Sequence, residues 1–386
     1  MASEETLRKE AAALHAQGVK IAEIARRLGR SRQWVYKWIG RKQKGADGWA
    51  QSLSNAPRSR ASKTCPEVEE MVISSRHKLE SSPHMESGAY AIWHDLRSSG
   101  VKPPSVATIN RILSRRGFSK KKIPYQKSDI DYPQAPINMQ IMDLIGPRYL
   151  RGGRRYYLLT IISNDTRHAG VYPISGKDAA SITNAVVSFW KGYTKPDFLQ
   201  MDNELSFKGS NRHPRGLGLL LRMALSQNVT PVFIPVGEPW RNGVIERFNQ
   251  KVERTLLMQK HGSFDALSQH AAEFAEVHNR CHHYSTMGHK TPLQLDEELG
   301  EPSAPLDADY MVTTRPELDS FNLNEIRFIR LVRSDLLINV LNTDIKVLPR
   351  LAHSYVEAIL LINDHRLLIN QDGITQQSIE FTMPLI

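Results

Sequence analysis

Between about residues 138 and 260 the chain switches repeatedly between a strand period and a helix period, and this texture limits its possible folds more than any other feature. β-type runs fall at 139–144, 155–163, 169–174, 197–201 and 230–234, and helical stretches at 179–193, 217–227 and 244–260. Three strands in meander followed by alternating helix and strand specify one mixed sheet with helices on its faces. The expected class is therefore multidomain α/β. All-α units come first, a mixed-sheet core sits centrally, and short strands broken by Asn342-Thr343-Asp344 and Gln371-Asp372-Gly373 suggest a small C-terminal β-barrel.

The N-terminal part reads as three helices over residues 5–43, with Gly29 at the second turn and Ser31 as an N-cap. Ile21, Ile24, Ala25 and Leu28 face Trp34, Val35 and Trp38, which is helix-turn-helix spacing. The third helix would expose Arg30, Arg32, Gln33, Tyr36 and Lys37 to base edges and phosphates, with Arg41 and Lys42 at its end. A plain three-helix bundle with a solvated basic face is the structural alternative. The Gly-, Ser- and Pro-containing stretch 45–64 reads as a linker whose Arg58 and Arg60 could track DNA. Helical periods at 66–79, 88–98 and 105–116 suggest a second helix-turn-helix, with or without a wing. The expected domains are 1–44, linker 45–64, 65–127, the core at 135–300 and the barrel at 306–386.

Charge supports a nucleic-acid partner. The formal net charge is +11, but residues 1–127 carry +14 and the remainder −3, so the basic field lies at the helical end. No apolar run reaches the roughly 18 residues of a membrane-spanning helix, and the chain start lacks a secretory core. A cytoplasmic location is expected. Cys65 and Cys281 are too isolated for a disulfide framework and read as structural thiols. His278, Cys281, His282 and His283 are zinc-type residues without a second ligand pair, so a packed or DNA-facing helix end is favoured over a metal site.

Three carboxylates stand out. Asp143 follows an apolar strand run in MQIMDLIG, Asp202 ends a strand in PDFLQMDNELSF, and Glu246 opens a helix in GEPWRNGVIERFNQKVER. A buried lone carboxylate is costly unless paired, hydrogen-bonded or metal-bound, and two at strand ends suggest a shared site. If the first and fourth strands are neighbours, their carboxylates meet at one edge. Asn249 shares the Glu246 face, while Arg247, Lys251 and Arg254 offer a basic flank to DNA.

With these residues in place, segment 135–300 resembles the RNase H-like catalytic core of DDE transposases and retroviral-type integrases. The likeness rests on MDLIGP, on MDN with Phe207, on PWRNGVIERFN, and on HNRCHHYSTMGHKTPLQL, which resembles the closing segment of bacterial insertion-sequence transposases. Together with the helical units it covers roughly residues 10–300. The resemblance implies a DNA transposase or integrase that cleaves element ends and joins them to target DNA. Asp143, Asp202 and Glu246 would be both its catalytic residues and its metal ligands. It implies two Mg²⁺ or Mn²⁺ ions, Asp143 bridging both and Asp202 and Glu246 binding one each, because a metal pair activates the attacking oxygen and stabilises the leaving one. It further implies double-stranded DNA partners, a homo-oligomer on DNA and nucleoid association in a bacterium, and leaves an accessory ATPase or regulator open. Two departures are present: the Asp202–Glu246 interval is longer than the family's, and Glu204 stands where the family has Gly. They leave open a DNA-binding protein that no longer cuts, and the carboxylates alone would also fit a nuclease that only hydrolyses.

Overall fold

In the computed structural model the described residues are 3–45, 47–52, 64–118, 131–209, 214–300, 304–313 and 324–384. They divide into two compact units, Met1–Thr64 and Cys65–Ile386.

The first unit holds α1 (Glu4–Ala16), α2 (Ile21–Arg27) and α3 (Arg32–Gln43). Ser3 and Ser31 cap α1 and α3 by accepting from the amides of Thr6 and Trp34, and Gly29 takes the left-handed φ of +62° that the α2–α3 turn requires. Ala11, Ile24, Ala25, Val35 and Ile39 form the core. Trp38 is buried under the Arg8 guanidinium, 3.9 Å from the ring centre, while Trp34 is only partly covered. The linker expected from residue 45 begins later than its composition suggests. Arg8 donates to the Ala50 carbonyl and to Ser52 at 2.9 Å, and Arg41 donates to the Gln51 carbonyl at 3.1 Å, so residues 50–52 pack back on the bundle. Arg58 and Arg60 lie outside the described residues.

The second unit opens with α4 (Pro66–Ser81), α5 (Ala89–Ser98) and α6 (Val106–Arg115), as the periodicity predicts. They close on Val72, Leu79, Ile92, Ile109 and Ile112, with Trp93 packed at the edge. The expected wing falls on residues that are not described. Next come β1 (Met139–Tyr149), β2 (Arg155–Ser163), β3 (Ala169–Ile174), α7 (Ala179–Gly192), β4 (Phe198–Met201), the short α8 (Leu205–Lys208), α9 (Leu219–Ser226), β5 (Thr230–Phe233), α10 (Gly243–Thr255), α11 (Phe264–Cys281) and α12 (Pro292–Leu299). The C-terminal strands are β6 (Glu325–Leu331), β7 (Leu337–Val340), β8 (Thr343–Lys346), β9 (Tyr355–Leu361), β10 (Arg366–Gln371) and β11 (Ile374–Glu380).

The mixed core sheet is present, with β1, β2 and β3 antiparallel and β4 and β5 parallel to β1 in the order β5-β4-β1-β2-β3. One apolar layer, containing Trp190, Leu221 and Met223, covers the α7/α9 face, and another, with Phe248 and Phe274, covers the α10/α11 face. Trp190 is fully buried, as expected of a core residue.

Two details differ from the sequence reading. Strand β1 does not stop at Asp143: β2 pairs with it as far as Tyr149↔Arg155, with a register shift at Gly146-Pro147, so Asp143 sits mid-strand opposite Thr160. The C-terminal strands are antiparallel as expected for a small barrel, but β6 pairs in parallel with the otherwise open edge of β5, extending the sheet to β11-β10-β9-β6-β5-β4-β1-β2-β3. Among the described residues β7 and β8 form their own hairpin, and no strand ladder closes β11 onto them. An unpaired strand edge is an invitation to pairing, and β6 occupies this one.

Candidate active site

Register places the carboxylates. Strands β1 and β4 are parallel with Ile141 opposite Gln200, so two residues further along each strand Asp143 and Asp202 fall side by side. Met139, Ile141 and Ile145 of β1 pack into the α10/α11 layer, and alternation puts the Asp143 side chain on the same face. Leu199 and Met201 pack into the opposite layer, which sends Gln200 and Asp202 toward α10. That helix buries Ile245, Phe248 and Val252, leaving Glu246, Asn249, Gln250 and Glu253 to line a cleft of about 580 Å³ together with Asp143.

Asp143 is the best-fixed member of the set. Its carboxylate accepts from the Leu144 amide at 2.8 Å and from the Asn249 amide at 2.7 Å. Buried Thr160 holds that Asn249 side chain by donating to its oxygen at 2.8 Å, so the nitrogen is turned toward Asp143. Burial pushes the Asp143 carboxyl up to about 6; the Leu144 amide opposes the rise, and the charges of Asp202 and Glu246 add to it. Asp143 therefore feels both of the other carboxylates. Burial likewise raises Asp202, opposed by the Glu204 amide that donates to it at 2.9 Å and assisted by the Glu204 charge. Lys177 meets Glu204 at 2.8 Å, so the acidic side chain at the family's Gly position carries its own counter-ion.

Among the described residues no three His, Cys, Asp or Glu side chains stand close enough together to hold a metal ion as a set. The donor chemistry nevertheless fits a hard divalent cation: three carboxylates share one field, and the most buried of them resists ionisation through burial and like charge. The zinc-type residues do not form a site. His278 faces Lys251 at 3.1 Å, His282 pairs with Glu86 at 2.9 Å, and His283 stacks on His94 with ring centres 3.5 Å apart. Cys65 and Cys281 are free and exposed, rather than packed as structural thiols.

The expected DNA contacts separate. Arg30, Arg32, Gln33, Tyr36, Lys37 and Lys42 are exposed, although Arg30 is ion-paired with Glu4. Arg247 and Arg254 are exposed on α10. Lys251 is not: its side chain is 10% exposed, set between His278 and Glu86, and burial lowers its pKa. The α10 basic flank is thus interrupted, because the loop before α5 brings Glu86 over it.

One supporting residue escaped the sequence reading. Arg330 of β6 is buried and donates to the Ile234 carbonyl and to Asn203 Oδ1, both at 2.9 Å, while Asn203 donates to the same Ile234 carbonyl at 2.7 Å. The turn that presents Asp202 is therefore tied to β5 and β6. The available signal was Arg330 following two apolar residues in EIRFIRL, the second of two Arg in that run.

Residues 2–50 match the family of homeodomain-like domains, and residues 227–292, which contain Glu246 and all of α10 and α11, match the integrase core domain family. The chain is thus similar to homeodomain-like domains over its first helices and to integrase cores around α10 and α11. No match to a curated protein is found. Among solved structures, the trimeric HTLV-2 integrase catalytic core, solved with magnesium, is 15% identical over 42% of this chain and 96% of its own, at a TM-score of 0.32. The BIV integrase core is 15% identical over the same shares at 0.33. The intasome of simian T-cell lymphotropic virus, solved with a PP2A regulatory subunit, is 12% identical over 76% of this chain and 97% of its own at 0.37. No helix among the described residues is long and apolar enough to cross a membrane.

Proposed function

We propose that this chain is a DDE-type polynucleotidyl transferase, a transposase or integrase that cleaves DNA at the ends of a mobile element and joins the freed 3′ ends to target DNA. The observation that supports the reading is that the buried Asp143 carboxyl senses the charges of Asp202 and Glu246, with Glu246 lining the same cleft as Asp143. The integrase core match over the Glu246 helix supports it.

Mg²⁺ or Mn²⁺ held by these three carboxylates would supply charge neutralisation for the attacking and leaving oxygens of a phosphodiester. The protein's own residues do the rest. Thr160 and Asn249 fix the Asp143 carboxylate, Arg330 fixes the turn carrying Asp202, and the first turn of α10 presents Glu246. Arg32, Gln33, Tyr36 and Lys37 on α3 are assigned to the element end, and Arg247 and Arg254 to phosphates beside the cut. DNA pairing by a homo-oligomer belongs to the same reading.

Incubating the protein with Mg²⁺ and labelled DNA bearing the flanking element ends tests it. Wild type should yield nicked ends and joined products, and Asp202→Asn should lose both while still shifting the DNA in a gel. Free ends without joined products would make the enzyme a hydrolase. Undiminished cleavage by Asp202→Asn would refute the site.

A further inference from the structure

A second cavity in this unit, of about 710 Å³, is larger than the carboxylate cleft and takes part of its wall from the same helix. Helix α10 separates the two: Glu246 and Asn249 line the cleft, while Arg247, one residue on, and Val244 line the cavity. Ile141, two residues before Asp143 on the same face of β1, and Gln200, two before Asp202 on β4, also line it.

Most cations of this cavity are committed. Lys251 lies between Glu86 and His278, Arg241 pairs with Glu238 at 3.1 Å, and Arg327 with Glu325 at 2.9 Å. Arg167 and Arg247 are different. The half-buried Arg167 guanidinium donates to the carbonyl and side-chain oxygen of Asn164, and no carboxylate forms an ion pair with it among the described residues. Burial lowers its pKa; Tyr284 and Asp165 oppose that, and the Arg247 charge lowers it again, so the two guanidiniums sense each other. Arg247 is exposed and has neither a hydrogen bond nor an ion pair among the described residues. Positive charge without a carboxylate in ion-pair contact thus collects at one point of the wall. Guanidiniums match phosphate oxygens through two parallel hydrogen bonds, and an anion there would relieve the repulsion. The space exceeds what phosphate alone fills, and Ile141, Val244 and Tyr284 offer the apolar and aromatic surface on which a base packs.

We propose that the cavity binds one unpaired nucleotide of the DNA strand engaged at the carboxylates, with its phosphate between Arg167 and Arg247 and its base against Ile141, Val244 and Tyr284. This rests on the reading of the carboxylate cleft as a DNA-processing site.

The test uses the full chain in EDTA, so that binding is read without cleavage. The probes are a blunt duplex, the same duplex with one unpaired terminal 2-aminopurine nucleotide, and free dAMP. Wild type should prefer the unpaired end by about tenfold, the order that one base stacked on an aromatic surface contributes, and should quench its fluorescence. Arg247→Gln should lose most of the preference and the quenching with an unchanged melting temperature, since that side chain has no intramolecular partner to lose. Arg167→Gln is the second variant. Equal binding of both duplexes by wild type, or a preference retained in Arg247→Gln, overturns the proposal. Thermal protection by dAMP without quenching of the duplex probe also overturns it, assigning the cavity to free nucleotides. Preference and quenching in a protein that makes no cut in Mg²⁺ would leave the cavity standing and remove the catalytic reading instead.

Discussion

Replacing Asp143 by Asn should stabilise the metal-free protein at alkaline pH and lose that advantage in acid. The Asp143 carboxyl is raised to about 6 from the usual 3.8. A tenfold change in proton affinity corresponds to about 1.4 kcal/mol, so keeping this group ionised well above pH 6 costs the folded state about 3 kcal/mol. The sign follows from the direction of the shift. Between the two values the folded state holds the proton more tightly than the unfolded one, so stability rises as pH falls through 6 and is lost as pH rises through it. Asn at this position avoids the charge. It keeps an oxygen for the Leu144 amide but presents NH₂ to the Asn249 nitrogen that Thr160 holds in place, forfeiting a hydrogen bond worth about 1 kcal/mol. The net expectation is about 2 kcal/mol of stabilisation at pH 8, shrinking toward zero near pH 4.5. Urea melts of both proteins in EDTA at pH 4.5, 6 and 8 measure it, and saturating Mg²⁺ at pH 8 should narrow the gap by stabilising wild type more. A difference between the two proteins that does not vary with pH would refute the argument that Asp143 is a strained carboxylate.

Three further outcomes are expected. His94 is held down to about 4, by burial first and then by His283, His289 and Arg97, so the folded state resists its protonation and stability is lost as pH falls from about 6.5 toward 4; His94→Phe should melt with less acid sensitivity between pH 7.5 and 5. Arg330→Met should destabilise the protein by roughly 3 kcal/mol in a urea melt, because the Asn203 side-chain oxygen and the Asn339 carbonyl lose their Arg330 donor and the Ile234 carbonyl loses one of its two. Replacing Arg32 and Gln33 by Ala should weaken binding to element ends in a gel shift while leaving the melting temperature unchanged, since both are exposed; undiminished affinity would contradict a recognition role for α3.

Local signals made much of the architecture readable. The helices of both N-terminal bundles announce themselves through caps such as Ser31 and Ser105 and through apolar stripes, and both Ser side chains do accept the expected amides. Of long helix α11 only the end at 278–283 is legible along the chain, although Leu267, Ala271, Phe274 and His278 recur at helical spacing, because its Ala and His content dilutes the apolar signal. The course of β1 past Asp143 and the docking of β6 on β5 depend on partners distant in sequence, which no window along the chain reports. The same division holds at the candidate site. The carboxylates are visible because they interrupt apolar or helical patterns. The Thr160–Asn249–Asp143 relay and the Arg330 brace exist only once strands and helices are assembled.

Helix α10 brings these strands of argument together, since its period of 3.6 residues assigns neighbouring side chains to different tasks. Ile245, Phe248 and Val252 anchor it in the core, Glu246 and Asn249 turn toward Asp143, and Arg247 and Lys251 turn toward the larger cavity. Charge alone made Arg247, Lys251 and Arg254 equivalent. Packing separates them, because Glu86 and His278 close over Lys251 while Arg247 and Arg254 remain exposed. A buried cation with a carboxylate partner is costly to uncover, as separating the pair leaves one charge unsatisfied. On the proposed reading DNA reaching α10 would meet Arg247 and Arg254 directly, whereas Lys251 is taken up by Glu86 of the loop before α5.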